Sequence, residues 1–423
     1  MDRTGLKAER LLLVGVGVGA DAHDVEASLE ELALLARTAG GIVTESVTQR
    51  RHGIDPHSYM GSGKAEEVRA RCEELEVDVV VLDNELSPAQ GHNLEKLLGR
   101  RVLDRTQLIL DIFASRAKTR GAKTQVELAQ LEYLLPRLKR MWTHLERFEG
   151  GIGMRGPGEK QLETDRRLVR LKIQKLKREL RAVSRQRTME VRQRRDCHTV
   201  ALVGYTNAGK STLLNRLTGA RELVEDRLFS TLDTRTRTWT LGSGRKVLLS
   251  DTVGFVRRLP HQLVSSFHAT LEEARTADLL LHVVDAGHPE APQQIEVVRD
   301  VLHEIGAEVP TVLVFNKVDS LENKADLAAL QNEHHHHQVA VSARTGAGLD
   351  RLADLVAAEL GLNLSEYLLD VPAGDGRLLA RLASAGQVLE RRYVGERVRL
   401  RMLLETSMAR KVESFVVNGD GKA

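Results

Sequence analysis

The string GYTNAGKS at residues 204–211 restricts the fold of this chain more than any other feature of its sequence. It follows directly on the apolar run TVALV, which predicts a β-strand, so a glycine-rich turn leads from a strand into a helix. A phosphate-binding loop (P-loop) requires this context: its backbone N–H groups surround the phosphates, its lysine reaches the β- and γ-phosphates, and its serine ligates Mg²⁺. We therefore expect an α/β domain that binds a nucleoside triphosphate.

A second motif, DTVG at residues 251–254, also follows an apolar predicted strand. In this position Asp251 can hold Mg²⁺ through water, and the N–H of Gly254 can sense the γ-phosphate. Upstream of it, the segment FSTLDT offers Thr231 as the threonine that closes on Mg²⁺ when the γ-phosphate is present, with Thr234 as the competing candidate. We interpret the two segments as switch II and switch I.

Two later motifs indicate which base the nucleotide carries. In NKVD at residues 316–319, the carboxylate of Asp319 can accept both the N1–H and the N2–H of guanine, a pair of donors that adenine lacks. SAR at residues 342–344 resembles the short loop whose backbone N–H groups recognise the guanine O6. Both motifs follow predicted strands, and we interpret residues 197–362 as a GTP-binding domain.

These motifs define the expected site. The residues expected to contact GTP are Gly204, Tyr205, Thr206, Asn207, Ala208, Gly209, Lys210, Ser211, Thr212, Phe229, Thr231, Asp251, Gly254, Asn316, Lys317, Asp319, Ser342, Ala343 and Arg344. Those expected to act in catalysis are Lys210, Thr231, Asp251 and Gly254, and those expected to ligate Mg²⁺ are Ser211 and Thr231. The predicted reaction is the Mg²⁺-assisted attack of water on the γ-phosphate.

Phe255 follows the glycine of DTVG, at the position where Ras-like GTPases carry the glutamine that orients the attacking water. A phenyl ring cannot do this, so hydrolysis should be slow in the isolated protein and should need a partner, a monovalent cation or another polar group. Asn207 resembles the asparagine that helps to bind K⁺ near the phosphates in several GTPases without this glutamine. The alternative is an asparagine that caps its own turn.

The first hundred residues alternate strand-like and helix-like segments and predict an N-terminal α/β domain over residues 1–105. Within it, GVGVGA at residues 15–20 imitates a dinucleotide fingerprint, but we favour a strand that ends in a glycine-rich turn. GSGK at residues 61–64 precedes a predicted helix and could touch phosphate, although it lacks the full spacing of a phosphate-binding loop. Whether this domain binds a second nucleotide stays open.

The periodicity of the sequence changes after residue 105. Apolar residues recur at steps of three and four over residues 131–145 and again over residues 169–183, which predicts two long helices. They are separated by GGIGMRGPG at residues 150–158, whose glycines and proline cannot continue a helix. We therefore predict an antiparallel helical hairpin over residues 106–196, with a glycine-rich tip that projects away from the other domains.

The positive charge of the chain is concentrated in the second of these helices. Residues 163–195 hold 13 lysines and arginines against four acids, whereas the whole chain has a formal net charge of only +3. A solvated coiled-coil surface would mix lysine with glutamate, so this excess favours contact with RNA. No apolar run is long enough to predict a membrane span, and Cys72 and Cys197 show no spacing typical of a disulfide framework or a zinc site.

Several strings outside the nucleotide motifs resemble the HflX GTPases, of the translation-factor-associated class. They include QVELAQLEYLLPRL at residues 125–138, GGIGMRGPGEKQLETDRR at residues 150–167 and DTVGFVRRLPHQLV at residues 251–264. The resemblance extends over nearly the entire chain and implies an α/β fold: a P-loop GTPase domain with an N-terminal α/β domain, a long antiparallel helical hairpin and a small C-terminal α+β domain over residues 363–423. It also implies binding to the large (50S) ribosomal subunit and its rRNA.

In that family the tip of the hairpin enters the region of the peptidyl transferase centre, and the GTP-bound protein separates stalled or idle ribosomes into subunits. The resemblance therefore implies that this chain splits or rescues 70S ribosomes, with residues 150–158 as the tip. Two alternatives stay open: ribosome (50S) assembly, and a nucleotide-gated module that binds or remodels RNA. The residues expected to contact the ribosome are Gly151, Arg155, Gly156, Pro157, Lys172, Lys175 and Arg178.

The expected cofactors are therefore Mg²⁺ and, at Asn207, K⁺, with GTP as the substrate. The N-terminus lacks the apolar core and the cleavage site of a signal peptide, and we expect a cytoplasmic monomer without a DNA partner or membrane insertion. The tract His334–His337 could bind a metal ion, but it falls in a predicted surface loop and we favour chance composition. The C-terminal domain shows strand signals at residues 388–394 and 398–404 after a helix-like segment at residues 377–385.

Overall fold

The computed structural model describes most of the chain and arranges the described strands in three sheets. Among the residues it describes, no helix is both long and apolar enough to cross a membrane. The described residues are 8–19, 24–141, 157–193, 197–220, 228–229, 235–242, 245–258, 268–321, 323–333, 337–362 and 364–417.

The first domain is a parallel sheet with helices on its faces. Its elements are β1 (Arg10–Val18), α1 (Val25–Thr38), β2 (Ile42–Arg51), α2 (Ser62–Glu74), β3 (Val79–Leu82), α3 (Pro88–Leu98), β4 (Arg101–Asp104) and α4 (Arg105–Arg116). The strand order is β2-β1-β3-β4, and β1 is buried along nearly its whole length, as a central parallel strand requires. Gly15 lies in β1, where a β-carbon would stand 2.7 Å from Cγ1 of Val25, so this glycine serves the close packing of α1.

Two long helices follow this sheet. They are α5 (Arg120–Met141) and α6 (Pro157–Gln193). The two helices pack on each other along an apolar seam that includes Leu128, Ile173 and Leu176. α6 begins at Pro157, which lies inside the segment expected to be non-helical. Proline suits the first position of a helix because it lacks an N–H and its φ is already helical. The segment expected to be non-helical therefore ends two residues earlier than predicted, at residue 156. The other residues of the tip, 150–156, lie outside the described residues.

The second sheet has six strands and carries the nucleotide motifs. Its elements are β5 (Thr199–Gly204), α7 (Lys210–Thr218), β6 (Arg235–Thr240), β7 (Lys246–Asp251), α8 (His268–Thr276), β8 (Leu279–Asp285), α9 (Ala291–Glu304), β9 (Thr311–Asn316), α10 (Lys324–Glu333), β10 (Gln338–Ala340) and α11 (Leu349–Glu359). The order is β10-β9-β8-β5-β7-β6, and only β6 runs antiparallel to its neighbour among the described strands. Because β5, β7, β9 and β10 are parallel, the motifs that follow them meet at one edge of the sheet.

The C-terminal domain is a three-stranded antiparallel sheet with helices on one face. Its elements are β11 (Leu364–Pro372), α12 (Gly376–Ala385), β12 (Gly386–Val394), β13 (Arg397–Glu405) and α13 (Thr406–Lys411). The order is β11-β13-β12, and the core includes Leu369, Leu382, Leu400 and Met402. β12 and β13 lie where the sequence shows strand signals, whereas β11 and α13 had no clear signal in the sequence.

A shared apolar core joins the first domain to the segments expected to be switches. It includes Leu228, Phe229, Phe255 and Val256 together with residues of α1, α4 and α5. The rings of Phe113 in α4 and Phe229 meet edge to face, with centroids 4.5 Å apart. A movement of these segments would therefore change the packing of the first domain.

Candidate nucleotide site

The phosphate-binding loop connects β5 to α7 and is fastened by one asparagine. Gly209 has a φ of +93°, and a β-carbon on it would stand 2.3 Å from Nδ2 of Asn316, so only glycine fits here. That amide donates to the carbonyl oxygen of Ala208 over 2.9 Å, and Oδ1 of Asn316 accepts the N–H of Ala343 over 3.0 Å. Asn316 thereby ties the phosphate loop to the NKVD and SAR loops.

Lys210 is the first residue of α7 and is buried in the phosphate loop. Its Nζ donates to the carbonyl oxygens of Gly204 at 2.9 Å and of Tyr205 at 2.7 Å. Burial lowers the pKa of this ammonium to about 8, against the opposing attraction of Asp251. A desolvated ammonium gains much from a nearby anion, and the phosphates of a nucleotide supply that charge.

Ser211 and Asp251 provide oxygen atoms of the kind that a magnesium ion prefers. The hydroxyl of Ser211 donates to Oδ2 of Asp251 over 2.7 Å, and Asp251 is fully buried at the end of β7. Within the part of the chain that the structure describes, the buried hydroxyl of Thr206 in the same loop has no hydrogen-bond partner. A hydroxyl beside a carboxylate, next to a buried ammonium, fits a triphosphate with Mg²⁺.

Gly254 and Phe255 connect switch II to the phosphate loop. A β-carbon on Gly254 would stand 3.0 Å from Nζ of Lys210, so this glycine lies directly against the lysine expected to hold the phosphates. The N–H of Phe255 donates to the carbonyl oxygen of Gly204 over 3.1 Å, and its own carbonyl oxygen accepts the N–H of Thr206 over 2.8 Å. The ring of Phe255 is 2% exposed and points into the shared core, so it cannot orient an attacking water.

Asp319 follows β9 and meets two residues of the SAR loop. Its Oδ1 accepts the hydroxyl of Ser342 over 2.6 Å, and its Oδ2 pairs with the guanidinium of Arg344 at 2.5 Å. The hydrogen bond from Ser342, assisted by Arg344, holds the pKa of Asp319 below its usual range. The carboxylate is therefore ionised at neutral pH and able to accept two N–H donors of a base.

The side chain of Arg344 is a feature that sequence reasoning did not anticipate, because only its backbone N–H was expected to act. This side chain is 76% exposed and lies on the carboxylate that guanine would need. A guanine bound at this carboxylate would have to displace the side chain of Arg344, at a small cost, because ion pairs in contact with solvent contribute only about 0–1 kcal/mol.

The remaining expected contacts lie in the same loops, with the exception of Phe229, whose side chain is 2% exposed and buried in the shared core. Lys317 has a φ of +62°, and its Nζ pairs with Asp285 at 2.8 Å. Asn207 is exposed at the bend of the phosphate loop, with a φ of +61°, and Thr212 is half-buried in the first turn of α7. Phe229 packs on α4 in the shared core. The residues of the expected site that lie outside the described ranges are Thr231 and its competitor Thr234.

A buried charge network links the phosphate loop and switch II to the first domain. Arg105 is 2% exposed and pairs with Glu31 and with Asp83, each over 2.7 Å. Glu31 also accepts the phenol of Tyr205 over 2.7 Å, and Asp83 also pairs with Arg258 at 3.1 Å. Burial alone would lower the pKa of Arg105, but the two carboxylates outweigh it and raise that pKa, so the guanidinium stays charged.

Tyr205 is the centre of this link. Its hydroxyl donates to Glu31 and accepts the N–H of Arg257 over 2.8 Å, so one side chain of the phosphate loop touches both the first domain and switch II. Burial and the charge of Glu31 raise the pKa of Tyr205, which keeps its proton in place for that hydrogen bond. Sequence reasoning missed the network because its members come from distant segments, most of which contribute only one residue to it.

The expected ribosome contacts on α6 are only partly available. Lys172 pairs with Glu127 of α5 at 2.5 Å, and a second lysine of α6 is paired with α5 in the same way. Lys175 and Arg178 are exposed and make no ion pair within the described residues. The charge free to meet RNA is therefore smaller than the sequence count indicates. The expected contacts that lie outside the described residues are Gly151, Arg155 and Gly156.

The affinity for GTP should depend on pH through Lys210. Its pKa of about 8 in the nucleotide-free protein means that the ammonium loses its proton above that pH, whereas bound phosphates favour the charged form. We expect the dissociation constant for GTP to be flat from about pH 6.5 to 7.5 and to rise above about pH 8, by at most about tenfold per pH unit. Titration with a fluorescent GTP derivative measures this, and a constant affinity up to about pH 9.5 would contradict it.

The chain matches three family models in succession. Residues 26–114 match a model described as GTP-binding GTPase N-terminal, and residues 116–194 match one described as GTP-binding GTPase Middle Region. Residues 199–317 match a model described as 50S ribosome-binding GTPase. The three models together extend from α1 to the lysine of NKVD.

Similar proteins extend over most of the chain. It is 48% identical over 393 residues to a GTPase HflX of Lacrimispora saccharolytica, covering 91% of each chain. It is 46% identical over 391 residues to a GTPase HflX of Escherichia coli, covering 92% of this chain and 91% of the relative. Among solved structures, the GTP-binding protein from the hyperthermophilic archaeon Sulfolobus solfataricus in complex with GDP is 25% identical, with a TM-score of 0.44, and covers 83% of this chain and 98% of that chain.

Proposed function

This chain belongs to the HflX family of GTPases, and from that premise we propose that it uses GTP to bind the large ribosomal subunit and to split stalled or idle 70S ribosomes. Its enzymatic reaction is the hydrolysis of GTP to GDP and phosphate. The observation that carries the proposal is the site at one edge of the second sheet. There Lys210 and Ser211 would meet the phosphates, and the ionised carboxylate of Asp319 would accept the N–H donors of guanine.

The phosphate end of the site supports the chemistry of hydrolysis. Lys210 would hold the β- and γ-phosphates, and the N–H of Gly254, which lies against that lysine, would detect the γ-phosphate. Ser211 and Asp251 would hold Mg²⁺, joined by Thr231 in the GTP state, and the bound ion would neutralise charge on the phosphates. Each of these residues stabilises or positions the triphosphate, and none of them activates the water.

Because Phe255 cannot orient the attacking water, another group has to assist hydrolysis, and a monovalent cation can do so. We place K⁺ beside Asn207, which is exposed at the bend of the phosphate loop and whose amide oxygen can ligate a hard cation. A positive charge there would stabilise the negative charge that develops on the transferred phosphoryl group, as an arginine finger does in other GTPases. Hydrolysis would then be slow without K⁺ and without the ribosome.

Rates of GTP hydrolysis test both parts of this proposal. We expect a slow rate for the protein alone and an increase of at least about tenfold with 50S or 70S particles but not with 30S particles. We also expect a faster rate in potassium than in sodium buffer. In the variant Asn207→Ala the difference between the two cations should disappear while the response to 50S particles remains. If no particle changes the rate of the wild type, the ribosome is not the activating partner, and a free RNA or protein would have to take that role.

The architecture supports a role on the ribosome. α6 is 37 residues long, its described surface carries exposed basic side chains, and it leads from the tip to the second sheet. We propose that residues 150–158 form the tip that enters the ribosome. We further propose the four domains expected from the sequence, with the first boundary moved from residue 105 to residue 116 because α4 packs on the first sheet: residues 1–116, 117–196, 197–362 and 363–423. We also propose that the protein works as a monomer in the cytoplasm, where ribosomes are present.

A further inference from the structure

β12 and β13 form a hairpin at one edge of the C-terminal sheet, and β13 is also paired with β11 along the same length. Its turn is Gly395–Glu396, with a φ of +60° at the glycine, and residues 391–397 are all exposed. β12 is the edge strand of its sheet, so its outer side has no neighbouring strand within the described residues. We call residues 390–401 the arginine hairpin.

Positive charge is concentrated on the arginine hairpin. Its 12 residues contain five arginines against two glutamates, and the arginines are Arg391, Arg392, Arg397, Arg399 and Arg401. All five are exposed. Arg392 stands directly opposite Arg399 across the two strands, and like charges in that position destabilise a hairpin. The stability of the hairpin therefore does not explain why arginine stands at both of these two positions.

The five arginines differ in whether they make ion pairs. Arg397 and Arg401 pair with acids of the neighbouring strand β11, and Arg392 pairs within its own strand. Arg391 and Arg399 make no ion pair within the part of the chain that the structure describes. These two guanidinium groups can therefore meet an anionic partner without breaking an existing ion pair.

Exposed apolar side chains lie among the arginines. Tyr393 is 66% exposed and Val394 is 53% exposed, both near the turn. An aromatic ring left in solvent beside arginines is typical of a surface that binds RNA, because the ring stacks on unpaired bases while the guanidinium groups bind phosphates in a bidentate manner. An acidic protein surface would use the arginines but would offer no base to the ring.

The register of the hairpin places these groups on both of its faces. Arg397, Arg399 and Arg401 alternate along β13 and therefore form a row on one face, with neighbours about 6.8 Å apart. Tyr393 is opposite the buried Val398 and so belongs to the other face. Arg391 is opposite Leu400 and shares the face of Tyr393, which is also the face that carries the domain core. These two side chains are therefore reached at the exposed edge strand, and Arg399 is reached from the other face.

We propose that the arginine hairpin binds RNA, with Arg391 and Arg399 on phosphates and Tyr393 stacked on an unpaired base. The inference rests on the proposed function, because large-subunit rRNA is the RNA that this protein would meet. It gives the C-terminal domain a role of its own: an RNA contact separate from that of α6 and the tip.

The test uses the full-length protein with a non-hydrolysable GTP analogue, bound to 50S subunits and to purified large-subunit rRNA at increasing KCl concentrations. The variant combines Arg391→Gln with Arg399→Gln. We expect its affinity for both to fall by at least about tenfold, and the slope of log affinity against log salt to become shallower by about two, one for each phosphate that the variant no longer binds. Basal GTP hydrolysis and the thermal unfolding midpoint should not change.

The matched control combines Arg377→Gln with Arg410→Gln, which removes the same charge from exposed arginines elsewhere in the domain. Tyr393→Ser should lower the affinity for rRNA without changing the salt slope, because stacking releases no counterions. Equal affinities and slopes for the hairpin variant and the control would overturn the inference. A weaker affinity for 50S subunits with an unchanged affinity for rRNA would also overturn it, in favour of a ribosomal protein. Failure of the wild type to bind 50S subunits would instead refute the proposed function.

Discussion

Replacing Asp319 by asparagine is expected to weaken GTP binding by at least about 100-fold and to make the protein prefer xanthosine triphosphate. The ionised carboxylate accepts two N–H donors of guanine, whereas an amide presents one acceptor and one donor group. Xanthine carries a carbonyl oxygen where guanine carries its amino group, and this oxygen can accept from the new amide. Ser342 can still donate to the amide oxygen, so the loop should keep its position.

Competition binding with GTP and xanthosine triphosphate measures this change of preference. The matched control is Asp300→Asn, the same substitution at an exposed position of α9, which should leave both affinities unchanged. An Asp319→Asn variant that keeps its affinity for GTP would mean that the base is bound elsewhere, and the assignment of the guanine site would be wrong.

Replacing Arg105 by methionine is expected to lower the free energy of unfolding by about 3–5 kcal/mol. Arg105 is buried between Glu31 and Asp83, and both carboxylates would lose their main compensating charge. Because Glu31 also holds Tyr205 and Asp83 also holds Arg258, the substitution should loosen the packing between the first domain and the GTPase domain. This is the largest stability effect expected from a single charged residue in the network.

Urea unfolding of the nucleotide-free protein measures the effect, as a shift in the midpoint of the first transition, since a chain of several domains need not unfold in one step. The matched control is Arg101→Met, which removes an exposed ion pair to Glu9 that should contribute less than about 1 kcal/mol. Equal shifts for the two variants would show that the buried network contributes no more than a surface pair.

The local part of the site could be predicted from the sequence. The strand-loop-helix pattern around residues 204–211 and the strands before DTVG, NKVD and SAR are visible as apolar runs followed by motif residues. Parallel strands then bring the motifs to one edge, so the positions of Lys210, Asp251 and Asp319 followed from topology. The burial of Phe255 also agrees with its chemistry, because a phenyl ring next to the phosphate loop has no polar role there.

What depends on tertiary contacts could not be predicted. Nothing near Glu31 or Asp83 in the sequence shows that they share one arginine, because their burial arises only when two domains pack. The position of the Arg344 side chain and the cross-helix pairing of Lys172 are likewise decided by partners far along the chain. The start of α6 at Pro157, in contrast, could have been predicted from the sequence, because proline favours the first turn of a helix.

The most direct test of the central claim is the splitting of 70S ribosomes, followed by light scattering after mixing with the protein and GTP. We predict that the wild type separates the subunits with GTP but not with GDP. We also predict that a variant in which residues 150–158 are replaced by a short glycine-serine linker binds GTP normally and does not split ribosomes. Unchanged splitting by this variant would remove the role of the tip, and a wild type that leaves 70S ribosomes intact in the presence of GTP would contradict the proposed function as a whole.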